Sequence, residues 1–482
     1  MTGLPPRQDT VTGAADAPCP MSPNGHVPRL RPVGAAATAA GLARRAGEAR
    51  AIADSLAARG VSAIAITVVD NAGIARATAV PVTGLEHATR WGAGLSPAYG
   101  DEAFTASAPV GGLRLMPDVA ALRTVAAQPG WAWVPADQYT PDGQVSGSCQ
   151  RSFTRRMTDL AALTGLEIQV GIEIGWFLGR GERGEVTPAH DGPGHGLAVL
   201  AGLADYAGGL ITALAQSGIR IGQLHPGHAP GQLEISLPPA GPVEAADLSV
   251  IARHTIRAHS ASHGWRASFS PVVLPGRAGN GGHLHVSTWR GGRNLLAGAR
   301  GPDGMTADGE SFAAGIQAEL PALTAVGATS VASYLGLQHW RADGQACRGH
   351  ENGDAAMRLI TGMTGIQADA ANIEIRCLDQ TANPYLAIGS VIAAGLAGIE
   401  RRLTFAPQTT AGPATLVRQA RSAERLPRSP DEAVATLRQS EIIPAAMGPM
   451  LHDALTAVLQ AESRAFHGLD PETIAAAHRW RY

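Results

Sequence analysis

The sequence predicts an α+β protein made of a small N-terminal domain and a large C-terminal one, and three observations carry this. A chain of 482 residues, 45% of them hydrophobic, supplies more core than a single domain needs. The N-terminal part reads helix, strand, turn, strand, a hairpin following a helix. Beyond it, strands alternate with long helices to the end of the sequence, and no repeat period of a solenoid or propeller is present.

Residues 1–38 are rich in Pro, Gly and Ala without hydrophobic periodicity, which predicts a disordered extension lacking the apolar stretch of a signal peptide. From Ala40 to Arg59 the pattern is helical and stops at Gly60. VSAIAITVVDNAG then reads as a strand running into a turn at Asn71 to Gly73, and IARATAVPV as the returning strand. Short strands and turns complete a small α+β domain over 39–145, with VPADQYTPDGQVSG as a linker to a large domain over 146–482. There the sequence predicts a helix over 150–164, a strand over 167–178, a helix over 196–217, a strand near 220–225 and another at GQLEISL. YLAIGSVIAAGLAGI, residues 385–399, is shorter than the roughly 18–20 apolar residues a bilayer requires, and reads as a buried helix.

Composition excludes several functions. A net charge of -2 and a pI near 6.8 give no electrostatic reason to expect nucleic acid or an anionic membrane as partner. All 38 basic residues are arginines. Without lysine there is no Walker A phosphate loop and no pyridoxal Schiff base, so a bound nucleotide must be held by arginines and metal. Cys19, Cys149, Cys347 and Cys377 lie far apart with no CxxC, which fits a reducing, cytoplasmic setting.

Four strand-like segments carry polar residues among β-formers: Glu173 in GIEIGWF, Glu234 in GQLEISL, His283 and His285 in GGHLHVS, and Glu374 and Arg376 in NIEIRCL. Spacing of two residues puts each such pair on one face. A solvent-exposed sheet face explains any one of these strands. Four together point instead to a shared concave site, and carboxylates with imidazole favour a divalent cation such as Mg²⁺ or Mn²⁺. Two connections, GRAGNGGH and RGHENGDAAMR, add glycines that let backbone approach a ligand and Arg358, which could clamp a phosphoryl oxygen; taken alone, each glycine cluster reads as just a turn.

With NIEIRCLDQTANPYLA, GNGGHLHVS, APGQLEIS and the EIGWFL strand in this order, the chain resembles the glutamine synthetase superfamily, in particular the bacterial branch that includes γ-glutamyl-polyamine ligases. The likeness runs from about residue 45 to about residue 470. It implies a β-grasp N-terminal domain and a catalytic domain with a curved, mainly antiparallel sheet flanked by helices. It also implies a homo-oligomeric ring with active sites at subunit interfaces, and ATP with Mg²⁺ or Mn²⁺ as cofactors. The implied activity is an ATP-dependent carboxylate–amine ligase that proceeds through an acyl phosphate to an amide.

Residue by residue, the resemblance gives a divided picture. The metal site nearest the nucleotide corresponds to Glu173, His283 and Glu374; His285 and Ser287 match nucleotide contacts; Arg358 and Arg376 match arginines at the phosphate and substrate. The site facing the amino-acid substrate retains Glu234, but Gly175 and Gly227 stand where the family has glutamates. Gly336 in SYLGL and Gly353 in HENGD replace substrate and phosphate arginines, and Asp343 is the one acid of the flap HWRADGQ. Losing one electrostatic stabiliser costs about 10² to 10³ in rate, so ordinary glutamine synthesis is not expected. A ligase with an altered pocket and a nucleotide-binding homologue without turnover are both compatible with this pattern, as is phosphoryl chemistry alone.

Overall fold

Residues that alternate between polar and apolar form a strand with one face for the core and one for chemistry, and the strand Glu167–Gly181 does so from Glu167 to Trp176. In the computed structural model, which describes residues 39–95, 112–182, 184–337, 346–405 and 425–482, this strand is the spine of the larger of two sheets. The smaller sheet contains β1 (Ala63–Val69), β2 (Ala75–Pro81), β3 (Ala93–Leu95), β4 (Leu113–Pro117), β5 (Arg123–Thr124) and β6 (Trp131–Tyr139). Its order is β2-β1-β6-β4-β3 with β5 beside β6; β1 runs parallel to β6 and antiparallel to β2. Helices Ala39–Ala58 and Leu85–Trp91 supply Ala49, Ala53, Leu56 and Leu85 to its core, against Ile64, Ile66 and Val134.

The larger sheet contains β7 (Glu167–Gly181), β8 (Val186–Pro188), β9 (Gln223–Pro226), β10 (Gln232–Ala240), β11 (Arg266–Ser268), β12 (Gly282–Arg290), β13 (Arg293–Asn294), β14 (Arg348–His350), β15 (Met357–Ile360) and β16 (Asn372–Ile375). Its order is β14-β15-β16-β12-β7-β10-β9, antiparallel apart from the β14–β15 pair. One face carries Ile172, Ile174, Trp176, Leu284, Val286, Ile373 and Ile375, all buried. Helices Gln150–Leu163, Pro242–Ser262 and Pro384–Glu400 pack together in the same core. The last of these is the apolar run 385–399, and among the described residues no helix is long and apolar enough to cross a membrane.

Two sequence readings change. VPADQY is not a linker: it lies in β6, the strand between β1 and β4, and only the turn that follows connects onward. Its Pro and Asp mimic loop punctuation, but Asp137 is buried because Arg151 and Arg155 pair with it at 3.3 and 2.8 Å. The helix expected over 196–217 is two helices, Leu197–Gly202 and Ala204–Gln216, meeting at Leu203. The extension 1–38 lies outside the described residues.

The turn after β1 is fixed to the ANPYLA segment. Asn383 caps helix Pro384–Glu400 with its side-chain oxygen and donates from Nδ2 to the carbonyls of Val69 and Asp70, both at 3.1 Å. Gly73, at φ +74°, passes so close to the Thr381 carbonyl that a Cβ would overlap it. Gln150 Nε2 completes the contact by donating to Asn71 Oδ1 at 2.7 Å.

Candidate active site

Register alone gathers the polar residues. Directly opposed residues of an antiparallel pair project to the same face. Gly171, Glu173 and Gly175 share one face of β7; opposite them stand His285, His283 and, on β10, Glu234. His285 in turn faces Glu374 on β16, Glu374 faces Arg358 on β15, and Glu234 faces His225 on β9. Every strand residue singled out for chemistry therefore lies on the face opposite the apolar core. This face is not a solvent face: Glu374 is 1% exposed and the side chains around it are mostly covered.

At its centre the charges interlock. His283 Nδ1 donates to Glu173 Oε2 at 2.7 Å and lies 3.1 Å from Glu374 Oε1. Arg376 Nη1 donates to Glu374 Oε1 at 2.6 Å, and Arg358 Nε approaches Glu374 Oε2 at 2.7 Å as a poorly aligned ion pair. Burial works against charge on all three central groups, and the pairing overcomes it. His283 is pushed up to about 9 by Glu173 and Glu374. Glu374 is held down at about 2 by His283 and Arg376, and Glu173 far below the usual carboxylate range by both histidines.

His285 is arranged differently. Asn372 Nδ2 donates to the Ala370 carbonyl at 2.8 Å, which fixes the amide so that Oδ1 accepts from His285 Nδ1 at 2.9 Å. Nδ1 therefore carries a proton, and Nε2, buried without a hydrogen-bond partner among the described residues, is the nitrogen directed at Glu173 Oε1, 3.5 Å away. Donor atoms of Glu173, His285 and Glu374 all lie within 4.8 Å of one another. Carboxylates and an imidazole with a fixed tautomer fit a divalent cation. Sequence reasoning gave His283 to the metal and His285 to the nucleotide; the structure brings both imidazoles to the same carboxylates. Ser287, further along β12, is buried and accepts from Trp289 Nε1 at 2.9 Å. Asp343 and the flap 339–345 lie outside the described residues.

The residues present do not fit a second hard cation beside Glu234. A Cβ on Gly175 would stand 2.9 Å from the Gly281 carbonyl oxygen, to which Gly175 N–H donates at 3.2 Å. A Cβ on Gly227 would stand 2.7 Å from Gln232 Cβ, and the Gln232 side chain is tied to Ala229 N–H and the Ala278 carbonyl. Both glutamate positions are filled by neighbouring atoms. The arginine positions are not: a Cβ on Gly336 would meet nothing nearer than Val272 Cγ2 at 3.7 Å, and one on Gly353 nothing nearer than Arg358 Nη1 at 3.6 Å.

Sequence reasoning missed Asn372 and His225. Asn372 opens the NIEIR motif, and its role needed the three-dimensional pairing with His285. His225 opens HPGH, and the tripeptide Pro-Gly-His recurs at 193–195, a repetition that marks both loops. His225 Nε2 stands 3.5 Å from Glu234 Oε1, the ring of His195 stacks on it at 4.4 Å between centroids, and His228 meets His195 edge-on at 5.8 Å.

Comparison with known proteins agrees with this construction. Residues 147–474 match the family described as glutamine synthetase, catalytic domain. The chain is 44% identical over 450 residues to the gamma-glutamylpolyamine synthetase GlnA3 of Streptomyces coelicolor, covering 90% of this chain and 96% of that one. A glutamine synthetase of Mycolicibacterium smegmatis is 30% identical over 320 residues, 65% of this chain and 72% of the relative. Among solved structures, a novel glutamine synthase homolog superposes with a TM-score of 0.78 at 29% identity, covering 88% of this chain and 99% of that one. The GmaS/ADP complex shares the fold at a TM-score of 0.76 and 24% identity, over 86% and 96% of the two chains. The sheet order, the polar face and these likenesses together show that the chain belongs to the glutamine synthetase family of carbon–nitrogen ligases.

Proposed function

We propose that this protein is an ATP-dependent carboxylate–amine ligase that works with one hard divalent cation, Mg²⁺ or Mn²⁺, in a pocket no longer shaped for ordinary glutamine synthesis. The observation that supports it is a polar deficit at one spot. His285 Nε2 and Arg376 Nε are buried and lack hydrogen-bond partners among the described residues, and Arg358 Nε and Glu374 Oε2 meet only each other, in an ion pair too poorly aligned to be a hydrogen bond. Buried polar atoms are nearly always hydrogen-bonded, so this deficit around one carboxylate calls for a polar, charged ligand. Mg²⁺-bound ATP supplies the phosphoryl group and neutralises charge as it transfers.

The chain's own residues have separate tasks in this reading. Glu173 and Glu374 hold the cation with His283, and His285 joins them through the lone pair that Asn372 frees. Arg358 and Arg376, anchored on Glu374, keep guanidinium N–H groups directed at transferred phosphoryl and substrate oxygens. Ser287 contacts the nucleotide, Glu234 faces the substrate, and Asp343 is the acid of the flap. The amine named by the relative GlnA3, a polyamine, is the acceptor class to try first. A small domain at 39–145, a homo-oligomeric ring that completes the site and a cytoplasmic setting belong to the same proposal.

The open space at Gly336 favours a second reading, a nucleotide-binding homologue that does not turn over, because among the described residues only Val272 and Pro271, and no cation, lie near where a side chain there would begin. Mass spectrometry of reactions containing ATP, Mg²⁺, glutamate or another carboxylate, and a panel of polyamines separates the two. An amide product establishes the ligase. ATP binding with no amide from any pair rejects it in favour of the second reading.

A further inference from the structure

We infer that His225 and Glu234, with His228 or His195 as third donor, form a site for a borderline transition cation such as Zn²⁺ or Co²⁺. Its donors and its cation differ from those of the carboxylate site that the family resemblance places beside Glu234. That carboxylate site is closed to two of its side chains, since a Cβ at Gly175 would meet the Gly281 carbonyl and one at Gly227 the Gln232 side chain, and Glu234 is left facing His225.

His225 is prepared as a ligand. The Pro226 carbonyl, 3.2 Å from His225 Nδ1, can only accept a hydrogen bond, so Nδ1 carries a proton and Nε2 is the nitrogen that faces Glu234 Oε1. Their separation of 3.5 Å matches the edge of a tetrahedron with metal–ligand bonds of about 2.0–2.2 Å. His195 is a non-glycine residue at φ +55°, a conformation that persists only when the surroundings impose it. Here its N–H donates to the Pro226 carbonyl at 3.1 Å, which seats its ring on His225. His195 and His228 are both exposed, their rings meet edge-on at 5.8 Å, and neither makes a hydrogen bond to another described residue, so both imidazoles beside His225 keep their nitrogens for a ligand. Imidazole-rich sets select Zn²⁺, Co²⁺, Ni²⁺ or Cu²⁺ over Mg²⁺, which keeps this site apart from the one at Glu173 and Glu374.

The inference does not rest on ligase activity, and its test needs no ATP. Metal-stripped protein is titrated with Co²⁺ in excess Mg²⁺ while the visible absorption of tetrahedral Co²⁺ is followed. One Co²⁺ per chain is expected, displaced by Zn²⁺. His225→Gln and Glu234→Gln each weaken it by more than about tenfold, the least that even an outer-shell loss costs. The exposed His228→Gln and His195→Gln report which imidazole is the third donor, and Glu173→Gln leaves the band in place. Circular dichroism confirms that each variant is folded. No band in excess Mg²⁺, or a band that survives His225→Gln and is lost in Glu173→Gln, overturns the site.

Discussion

At the residue scale, four glycines that sequence comparison treats alike divide into two kinds. Gly175 and Gly227 are closed by neighbouring atoms, whereas Gly336 and Gly353 face room. Restoring glutamate at 175 and 227 together should therefore leave Mn²⁺ stoichiometry unchanged and lower stability by about 1–3 kcal/mol, the usual cost of overpacking. Mn²⁺ titration and a thermal melt check both. Gly336→Arg should instead leave the melting temperature unchanged or raise it, since Gly336 lies in helix Val331–Leu337 and its Cβ has space. Asn372 acts through His285 by fixing the tautomer. Asn372→Ala should weaken the cation at Glu173 and Glu374 by about 10- to 100-fold without unfolding the protein, which calorimetric titration of Mn²⁺ measures.

At the element scale, the strands were legible because period-two alternation survives in the sequence, and the face they share follows from register. What remained hidden were contacts between segments distant in sequence. The strand β6 was obscured by Pro135 and Asp137, residues that mark turns unless an arginine from elsewhere buries the charge. The break at Leu203 was marked only by Gly202, which the helical pattern on either side outweighed. The closed state of Gly175 was invisible, since the peptide that fills its space comes from Gly281, on the loop before β12. The connection after β16 carries a further charge with a consequence for pH. Asp379 is half-buried near Tyr334, and its loss of hydration pushes its carboxyl up to about 6 despite hydrogen bonds from Ser333 and Thr381. A carboxyl raised in the folded state binds its proton more tightly there than in the unfolded chain. Its unfavourable contribution therefore grows as pH rises from about 4 to about 6 and is complete above that. Two pKa units correspond to roughly 3 kcal/mol. Asp379→Asn should stabilise the protein at pH 7 and flatten the fall in stability between pH 4 and 6, as read by denaturant melts across that range.

At the scale of the whole molecule, one arginine joins segments far apart in the chain. Arg151 pairs with Asp118 and Asp247 at 2.8 Å and with Asp137 at 3.3 Å, so it ties the smaller sheet to helices Gln150–Leu163 and Pro242–Ser262. Tyr385 O–H donates to the same Asp247 at 2.6 Å. Removing Arg151 leaves buried carboxylates uncompensated, and Arg151→Ala should cost about 3–5 kcal/mol in chemical denaturation. The family could be read from motif order, because NIEIRCLDQTANPYLA and GNGGHLHVS combine catalytic residues with the Asn383 clamp and the glycines of the loop. The chemistry that distinguishes this chain was only half legible: the lost ligands could be read, and what replaced them could not.

On the proposed reading, the polar face built on Glu173, His283, His285 and Glu374 joins a carboxylate to an amine at the expense of ATP. Phosphate release measured with ATP, Mg²⁺, a carboxylate panel and a polyamine panel is the decisive measurement. Release that requires both a carboxylate and an amine, and that is lost in Glu374→Gln, is expected. Nucleotide that binds while no pair stimulates release, or release that persists in Glu374→Gln, would contradict that reading.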